Sequence, residues 1–247
     1  MSDEVGAKLK PRLSVIMPVF NEEATVLASI SRVLEQEFVK EIVVVNDGSS
    51  DGTAEQLATI SDSRVVVLSH PINRGKGAGI RSATAVVQGP YVAIQDADLE
   101  YDPRDLARLL EPLDAGLADV VYGSRFLSGD ARRVLYFWHS IGNRLLTLAS
   151  NMATNINLSD METCYKVFRK EFLTSVTIEE DRFGFEPEIT VKMARSGARI
   201  YEVGISYAGR NYSEGKKINW KDGVSAFRCI LKYSIQERRS ARGQVQR

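Results

Sequence analysis

Asp96 and Asp98 are separated by one residue, Ala97, and follow the apolar run Val92-Ala93-Ile94 after Gln95. Alternate side chains on extended backbone point the same way, so both carboxylates can offer oxygens to one hard cation, magnesium or manganese. An ion held there neutralises charge that builds up on a diphosphate leaving group, which then needs no proton. The competing reading is an acidic helix N-terminus favoured by the helix dipole. That reading suits Asp102 and Asp105 better than Asp96. A strand running straight into two carboxylates sets charge against the core edge, which is costly unless a ligand compensates it.

Two further segments have the composition of ligand loops. Asp47-Gly48-Ser49-Ser50-Asp51-Gly52 has acids at the first and fifth positions and glycine at the sixth position of a calcium loop, but Ala58 stands where the closing glutamate belongs. It reads instead as a turn in which Ser50 or Asp51 caps the next helix, leaving Asp47 to accept hydrogen bonds from a nucleobase. Gly75-Lys76-Gly77-Ala78-Gly79 is not a Walker A loop, having His70 at the first glycine position and no Ser or Thr after Lys76. Nor is it a dinucleotide loop, because Ile80 takes the third glycine position. Two readings stay open for it, a plain tight turn or a backbone that approaches a ligand closely.

These loops need a scaffold that gathers them. Leu13–Pro18 and Glu41–Val45 are short β-branched runs of the kind buried on both faces of a parallel sheet, and Glu22–Glu37 between them has helical apolar spacing. The alternation continues with a helix over Thr53–Ile60, a strand over Arg64–Ser69, a helix over Gly77–Gln88 and a strand over Tyr91–Gln95. A helix from about Arg104, stopped near Pro112, then leads to a strand over Val120–Gly123. The first half is thus a doubly wound α/β unit, whose polar loops follow the carboxyl ends of its strands and converge on one edge. Beyond Gly129 the alternation is less regular. Arg132–Ala149 contains an amphipathic helix, Tyr165–Phe168 and Ile200–Ile205 are strands, Pro187–Ser196 is a helix between them, and a last helix covers Asp222–Gln236.

With 247 residues and 44% hydrophobic content the chain can bury one large core. It carries 32 basic and 32 acidic side chains, so no global field favours nucleic acid, and any anion site is local. Cys164 and Cys229 have neither zinc nor disulfide-framework spacing, which fits a cytoplasmic chain. The polar N-terminus lacks an apolar signal core and no segment has the roughly 18 apolar residues of a membrane span, so neither a secretion signal nor a spanning helix is expected.

Pro18-Val19-Phe20-Asn21-Glu22, Val45-Asn46-Asp47-Gly48-Ser49, Asn73-Arg74-Gly75-Lys76-Gly77 and Asp96-Ala97-Asp98, in this order and spacing, resemble the family 2 glycosyltransferases of GT-A fold. Gly123-Ser124-Arg125-Phe126, Asp160-Met161-Glu162-Thr163-Cys164-Tyr165-Lys166 and Phe183-Gly184-Phe185-Glu186 are similar to the branch of dolichyl- and polyprenyl-phosphate mannosyl- and glucosyltransferases. The resemblance covers about residues 13–235. It implies a single catalytic domain, with 13–128 as the nucleotide-sugar half and 129–235 as the acceptor half, between a polar tail 1–12 and a basic tail 236–247; the low apolar content from Arg238 onward predicts disorder there.

Carried over residue by residue, the resemblance gives Pro18, Phe20, Glu22, Asp47, Asn73, Gly75 and Lys76 to the nucleotide sugar. Asp96 and Asp98 become metal and diphosphate residues, joined by Glu100, where mannose synthases of the group place a glutamine. Asn46 departs from the more usual paired aspartates, so the base is left open, within the UDP-glucose or GDP-mannose class. Arg125 would meet the acceptor phosphate, a role that suits a guanidinium fork. Arg132 and Arg133 assist it or form a solvated basic turn. Asp160 corresponds to a second-half aspartate near the reaction centre, and Arg210, Lys216 and Lys217 to a mobile basic loop over the donor diphosphate. Asp98, Asp160 and Arg125 are thus the expected catalytic residues.

The implied reaction is inverting transfer of glucose or mannose to polyprenyl or dolichyl monophosphate, with Mg2+ or Mn2+ as cofactor. Transfer to a saccharide or small-molecule hydroxyl, with Glu180, Asp181 or Glu186 as base, is the alternative, and a non-catalytic nucleotide-sugar-binding protein is another. Val134–Trp138 with its flanking arginines has the mixture of an interfacial segment as well as of ordinary core, so peripheral contact with the cytoplasmic membrane face or a membrane-protein partner is expected alongside the core reading. In the last helix Val224, Phe227, Leu231 and Ile235 form one apolar face, for which core packing is the preferred use and lipid contact the other.

Overall fold

The computed structural model describes residues 11–127, 133–134, 136–209 and 220–245, with the side chains of 220–222 and 237–245 excepted. One seven-stranded sheet organises the chain, in the order β3-β2-β1-β4-β6-β5-β7. Its strands are β1 Leu13–Val19, β2 Val39–Asp47, β3 Val65–His70, β4 Tyr91–Ile94, β5 Val120–Ser124, β6 Lys166–Arg169 and β7 Ile200–Gly204. The helices are α1 Val26–Leu34, α2 Thr53–Ala58, α3 Lys76–Thr84, α4 Asp105–Asp114, α5 Phe137–Thr154, α6 Lys170–Ser175, α7 Phe185–Arg195 and α8 Trp220–Val245.

β1 pairs in parallel with β2 on one side and β4 on the other, and β2 pairs in parallel with β3. The strand order therefore reverses at β1, and a crevice opens beyond the carboxyl ends of β1 and β4. Val15, Ile16, Val43, Val44, Val92 and Ile94 are completely buried, as their β-branched runs require in a sheet covered on both faces. The expected α/β architecture, mostly parallel with a less regular second half, is the one observed.

β6 runs antiparallel to both β4 and β5. The reason lies in where the chain goes after β5. Arg125 and Asn143, on the excursion between β5 and β6, both line the crevice at the carboxyl edge. The chain thus re-enters the sheet from the edge it left, and Lys166 pairs with Tyr122 near the end of β5.

Several boundaries differ from the sequence pattern. α1 begins at Val26 rather than Glu22, because Glu22 closes a turn: its carbonyl accepts from Thr25 and Val26 N–H, and its carboxylate from Thr25 Oγ1 at 2.8 Å. α4 runs through Pro112 to Asp114. The proline falls in its last turn, and its carbonyl accepts from the N–H groups of Leu117 and Ala118. α8 continues to Val245, past the expected end at 236. It also presents the opposite stripe to the core: Ala226, Cys229, Ile230 and Tyr233 are buried, while Val224, Phe227, Leu231 and Ile235 are exposed. The preferred core assignment of that face is therefore corrected. Two apolar stripes compete on α8, and the one carrying Cys229 and Tyr233 packs against Val191 of α7.

Candidate functional site

The crevice is a cavity of about 1300 Å³. Pro18, Phe20 and Glu22 reach it from the end of β1, Asp47 from β2, Asn73 and Gly75 from the loop before α3, Lys76 from the first position of α3, and Asp96, Asp98 and Glu100 from the segment after β4. Arg125, just after β5, lines the same space. Asp160 and Arg133, and the alternative bases Glu180 and Asp181, lie outside this wall; Arg132, Arg210, Lys216 and Lys217 lie outside the described residues. Arg133 lines a neighbouring cavity of about 360 Å³ with Glu100 and Tyr207, and its Nη1 donates to Gly209 O at 3.0 Å.

Asp47 is not left to meet a base. It is almost fully buried, accepts from Arg74 N–H at 3.0 Å and Gly75 N–H at 2.6 Å, and lies 2.6 Å from His70 Nδ1. Its carboxylate at the end of β2 ties down the loop that carries Lys76. Gly75 and Gly77 are required by a close protein contact, and Gly75 also lines the cavity. A Cβ on Gly75, where φ is 105°, would sit 2.4 Å from Asp181 O, and one on Gly77 would sit 2.0 Å from Glu180 O. The loop is pressed against residues 180–182, and Ala78 N–H donates to Asp181 O at 3.0 Å. Asp51 accepts from Thr53 N–H at 3.0 Å just before α2, although Gly52, not Ser50 or Asp51, occupies the N-cap position.

Lys76 is the cation of the donor-side wall. Its Nζ lies 2.9 Å from Asp96 Oδ1 and 2.9 Å from Glu186 Oε1. Burial pulls the ammonium toward neutrality, but the Asp96 and Glu186 carboxylates outweigh it and hold its pKa well above the ordinary lysine value. After Asp98 the backbone turns through Leu99, whose φ of 63° is costly for a bulky side chain. The turn separates Asp98 from Glu100, whose carboxylate accepts from the Tyr207 hydroxyl. No three His, Cys, Asp or Glu side chains form a metal cage among the described residues. Asp96 and Asp98, with Glu100 on the same wall, offer hard oxygen donors of the kind a protein supplies to magnesium when substrate phosphates complete its shell. The donor set thus fits a diphosphate-bound divalent ion.

Asp160 has no exposed surface. Its two oxygens meet the Arg125 fork, Oδ2 to Nε and Oδ1 to Nη2, both at 2.7 Å, and Asn143 Oδ1 accepts from Nη2 at 3.2 Å. Burial pushes Asp160 up, but Arg125 outweighs it and the carboxyl stays below its ordinary pKa. Asp160 therefore aims Arg125 and does not face the cavity, which corrects its place among the expected catalytic groups. The guanidinium also lies over the Tyr207 ring, 5.2 Å from its centroid. Tyr207 and Asn143 were not anticipated. Nothing local in the sequence marks either: Asn143 stands among other polar residues, His139, Ser140 and Arg144, and only the fold singles it out. Of the alternative bases, Glu180 holds Arg228 and Lys232 at 3.0 Å and Asp181 holds Arg81 at 2.5 Å, so only Glu186 lines the cavity.

Exposed apolar residues also reach this cavity: Trp138 and Leu145 of α5, and Val224 and Phe227 of α8. The segment 134–138 is therefore not ordinary core, since Val134, Phe137 and Trp138 are 92%, 66% and 78% exposed.

Residues 14–176 match the family model described as Glycosyl transferase family 2. Glycosyltransferase AglJ of Haloferax volcanii is 32% identical over 200 residues, covering 79% of this chain and 63% of the relative, so the chain spans less than two thirds of that relative's length. An undecaprenyl-phosphate mannosyltransferase of Micrococcus luteus is 30% identical over 83% of this chain and 87% of its own. Among solved structures, glucosyl-3-phosphoglycerate synthase of Mycobacterium tuberculosis with Mn2+, UDP and glucosyl-3-phosphoglycerate superposes with a TM-score of 0.69 at 21% identity, covering 92% of this chain and 80% of that one. That likeness shows the expected GT-A fold. On the extent of the family match and the agreement of its motifs with the cavity wall, this chain belongs to the family 2 glycosyltransferases.

Proposed function

We propose that the chain moves a hexose, glucose or mannose, from a nucleotide diphosphate sugar to a polyprenyl or dolichyl monophosphate, with inversion at the anomeric carbon. One observation carries the acceptor class. The cavity that holds Lys76, Asp96 and Asp98 also holds Arg125, and its rim continues into exposed apolar side chains of α5 and α8. A cation for a phosphate beside an apolar rim suits a lipid phosphate better than a saccharide. The name of the Micrococcus relative is in keeping with this reading.

A phosphate monoester has its second pKa near ~6 and is already largely ionised at neutral pH, so its attack needs no general base. Arg125, aimed by Asp160 and Asn143, holds the acceptor phosphate in line with the anomeric carbon. A phosphate oxygen bonds to that carbon from the face opposite the leaving group, and the bond to the nucleotide diphosphate breaks with its electron pair. Lys76 lends positive charge to the departing diphosphate. Asp96 and Asp98 would hold a magnesium or manganese ion, whose Lewis acidity stabilises the same leaving group. No described helix is long and apolar enough to cross a membrane, and the exposed stripes of α5 and α8 are assigned to peripheral contact with a bilayer. The deciding experiment gives the purified chain manganese or magnesium with radiolabelled UDP-glucose or GDP-mannose, with and without a short polyprenyl phosphate. Label is expected to enter the organic phase only with the lipid. Label that stays in water with every donor would exclude the lipid acceptor, and label on an added saccharide would favour the hydroxyl alternative.

A further inference from the structure

Glu162 and Glu186 are not explained by the reaction described above. Glu186 leads α7 and is 95% buried, with its Oε1 on Lys76 and its Oε2 enclosed without a hydrogen-bond partner. Glu162, in the segment before β6, likewise has an enclosed and unpartnered Oε1. Of the enclosed side-chain oxygens without partners among the described residues, those of Ser150, Thr163 and Ser234 belong to residues that are not part of the cavity wall. The two glutamates alone line it. An enclosed polar atom without a partner is costly, so two on one wall point to a ligand that supplies hydrogen bonds there.

Position narrows the ligand. Lys76 bridges Asp96 and Glu186 at 2.9 Å on each side, so Glu186 sits one ammonium away from the proposed diphosphate site. What adjoins a diphosphate on the side away from the nucleoside is the hexose. We infer that Glu162 and Glu186 form the subsite that reads the hydroxyls of the donor hexose, an inference that rests on the nucleotide-sugar reading above. Their chemistry suits hydroxyls, each of which donates one hydrogen bond and accepts others. Burial, with the neighbouring Glu186 next, drives the Glu162 carboxyl well above its ordinary pKa, so Glu162 can donate as well as accept, while Glu186 presents its enclosed Oε2 as an acceptor. Lys166, completely buried beneath them, donates to the Met161 and Thr163 carbonyls and fixes the backbone on either side of Glu162.

The test compares nucleotide with nucleotide sugar. Calorimetric titration of the full chain with UDP, GDP, UDP-glucose and GDP-mannose, manganese present, is run on wild type, Glu162→Ala and Glu186→Gln, the last of which keeps an oxygen for Lys76. Each variant is expected to bind the preferred nucleotide sugar about tenfold or more weakly, while affinity for the matching nucleoside diphosphate stays within about twofold. That retained affinity also reports that the variant is folded. Parallel loss of both ligands would assign the glutamates to the architecture of the wall and overturn the inference, as would unchanged discrimination. Wild type that binds UDP or GDP but gains nothing from the hexose would overturn it while sparing the nucleotide site. Wild type that binds no nucleotide would overturn the donor reading and this inference together.

Discussion

Asp160 was legible in the sequence as an important residue, but its role was not, because burial and direction are tertiary facts. With both oxygens on Arg125 and no exposed surface, it is half of an enclosed ion pair. Removing one member of such a pair leaves an uncompensated charge, so Asp160→Ala is expected to lose ~3–5 kcal/mol in urea unfolding. The sign with pH follows from the lowered carboxyl. A group whose folded pKa is depressed stabilises fully above its unfolded value of ~3.9, and that contribution disappears as the pH falls through the folded value. Wild type should therefore lose stability below pH ~3.9 in a way that Asp160→Asn does not; identical acid slopes would contradict the pair's assigned charge. Asp98 differs, since it faces the cavity. Asp98→Asn is expected to lower transfer by about a hundredfold or more with little change in melting temperature, because a lost ion removes several kcal/mol from the transition state. Full turnover of that variant would remove Asp98 from the metal site.

At the scale of elements, the strand-loop-helix alternation was readable because parallel strands covered on both faces need unbroken β-branched runs, as in Val43, Val44 and Val45. The direction of β6 was not readable, since it depends on the edge from which the chain returns. The Gly75–Gly79 loop was ambiguous for a related reason: glycine signals close approach without naming what approaches. Here it is the backbone of residues 180–182. A Gly77→Ala methyl would meet Glu180 O at 2.0 Å, and the expected cost is ~1–3 kcal/mol of overpacking, with Lys76 displaced and nucleotide affinity reduced. Gly142 of α5 is the control. A Cβ there meets nothing within 4 Å, so Gly142→Ala should gain ~0.5–1 kcal/mol from helix propensity. Thermal melts of the two variants should move in opposite directions; a Gly77→Ala protein as stable as wild type would mean that the loop does not rest on residues 180–182.

Across the whole molecule the apolar surface is unevenly placed. Phe137, Leu145, Leu148 and Met152 make an exposed stripe on α5, and Val224, Phe227, Leu231 and Ile235 make another on α8, which packs against α5. Contiguous apolar surface of this kind marks a binding face more often than scattered exposed leucines do. The sequence showed the periodicity of α8 but not which of its two stripes the core would take. The zero net charge matters for the mechanism of adhesion. A polybasic protein would bind acidic vesicles through headgroup attraction that vanishes in salt, whereas attachment by apolar stripes survives when the Debye length shrinks to ~3 Å at 1 M. Flotation with phosphatidylcholine and phosphatidylglycerol vesicles is therefore expected to carry the chain upward with little dependence on salt. Leu148 and Leu231 lie outside the cavity wall. A buried leucine contributes ~1.5–3 kcal/mol, so Leu148→Asp with Leu231→Asp should cut flotation at least about tenfold while leaving nucleotide affinity intact. Polyprenyl-phosphate turnover in vesicles should fall with flotation, and turnover in detergent should be spared. Vesicle binding that survives both substitutions would move the docking face elsewhere on the molecule.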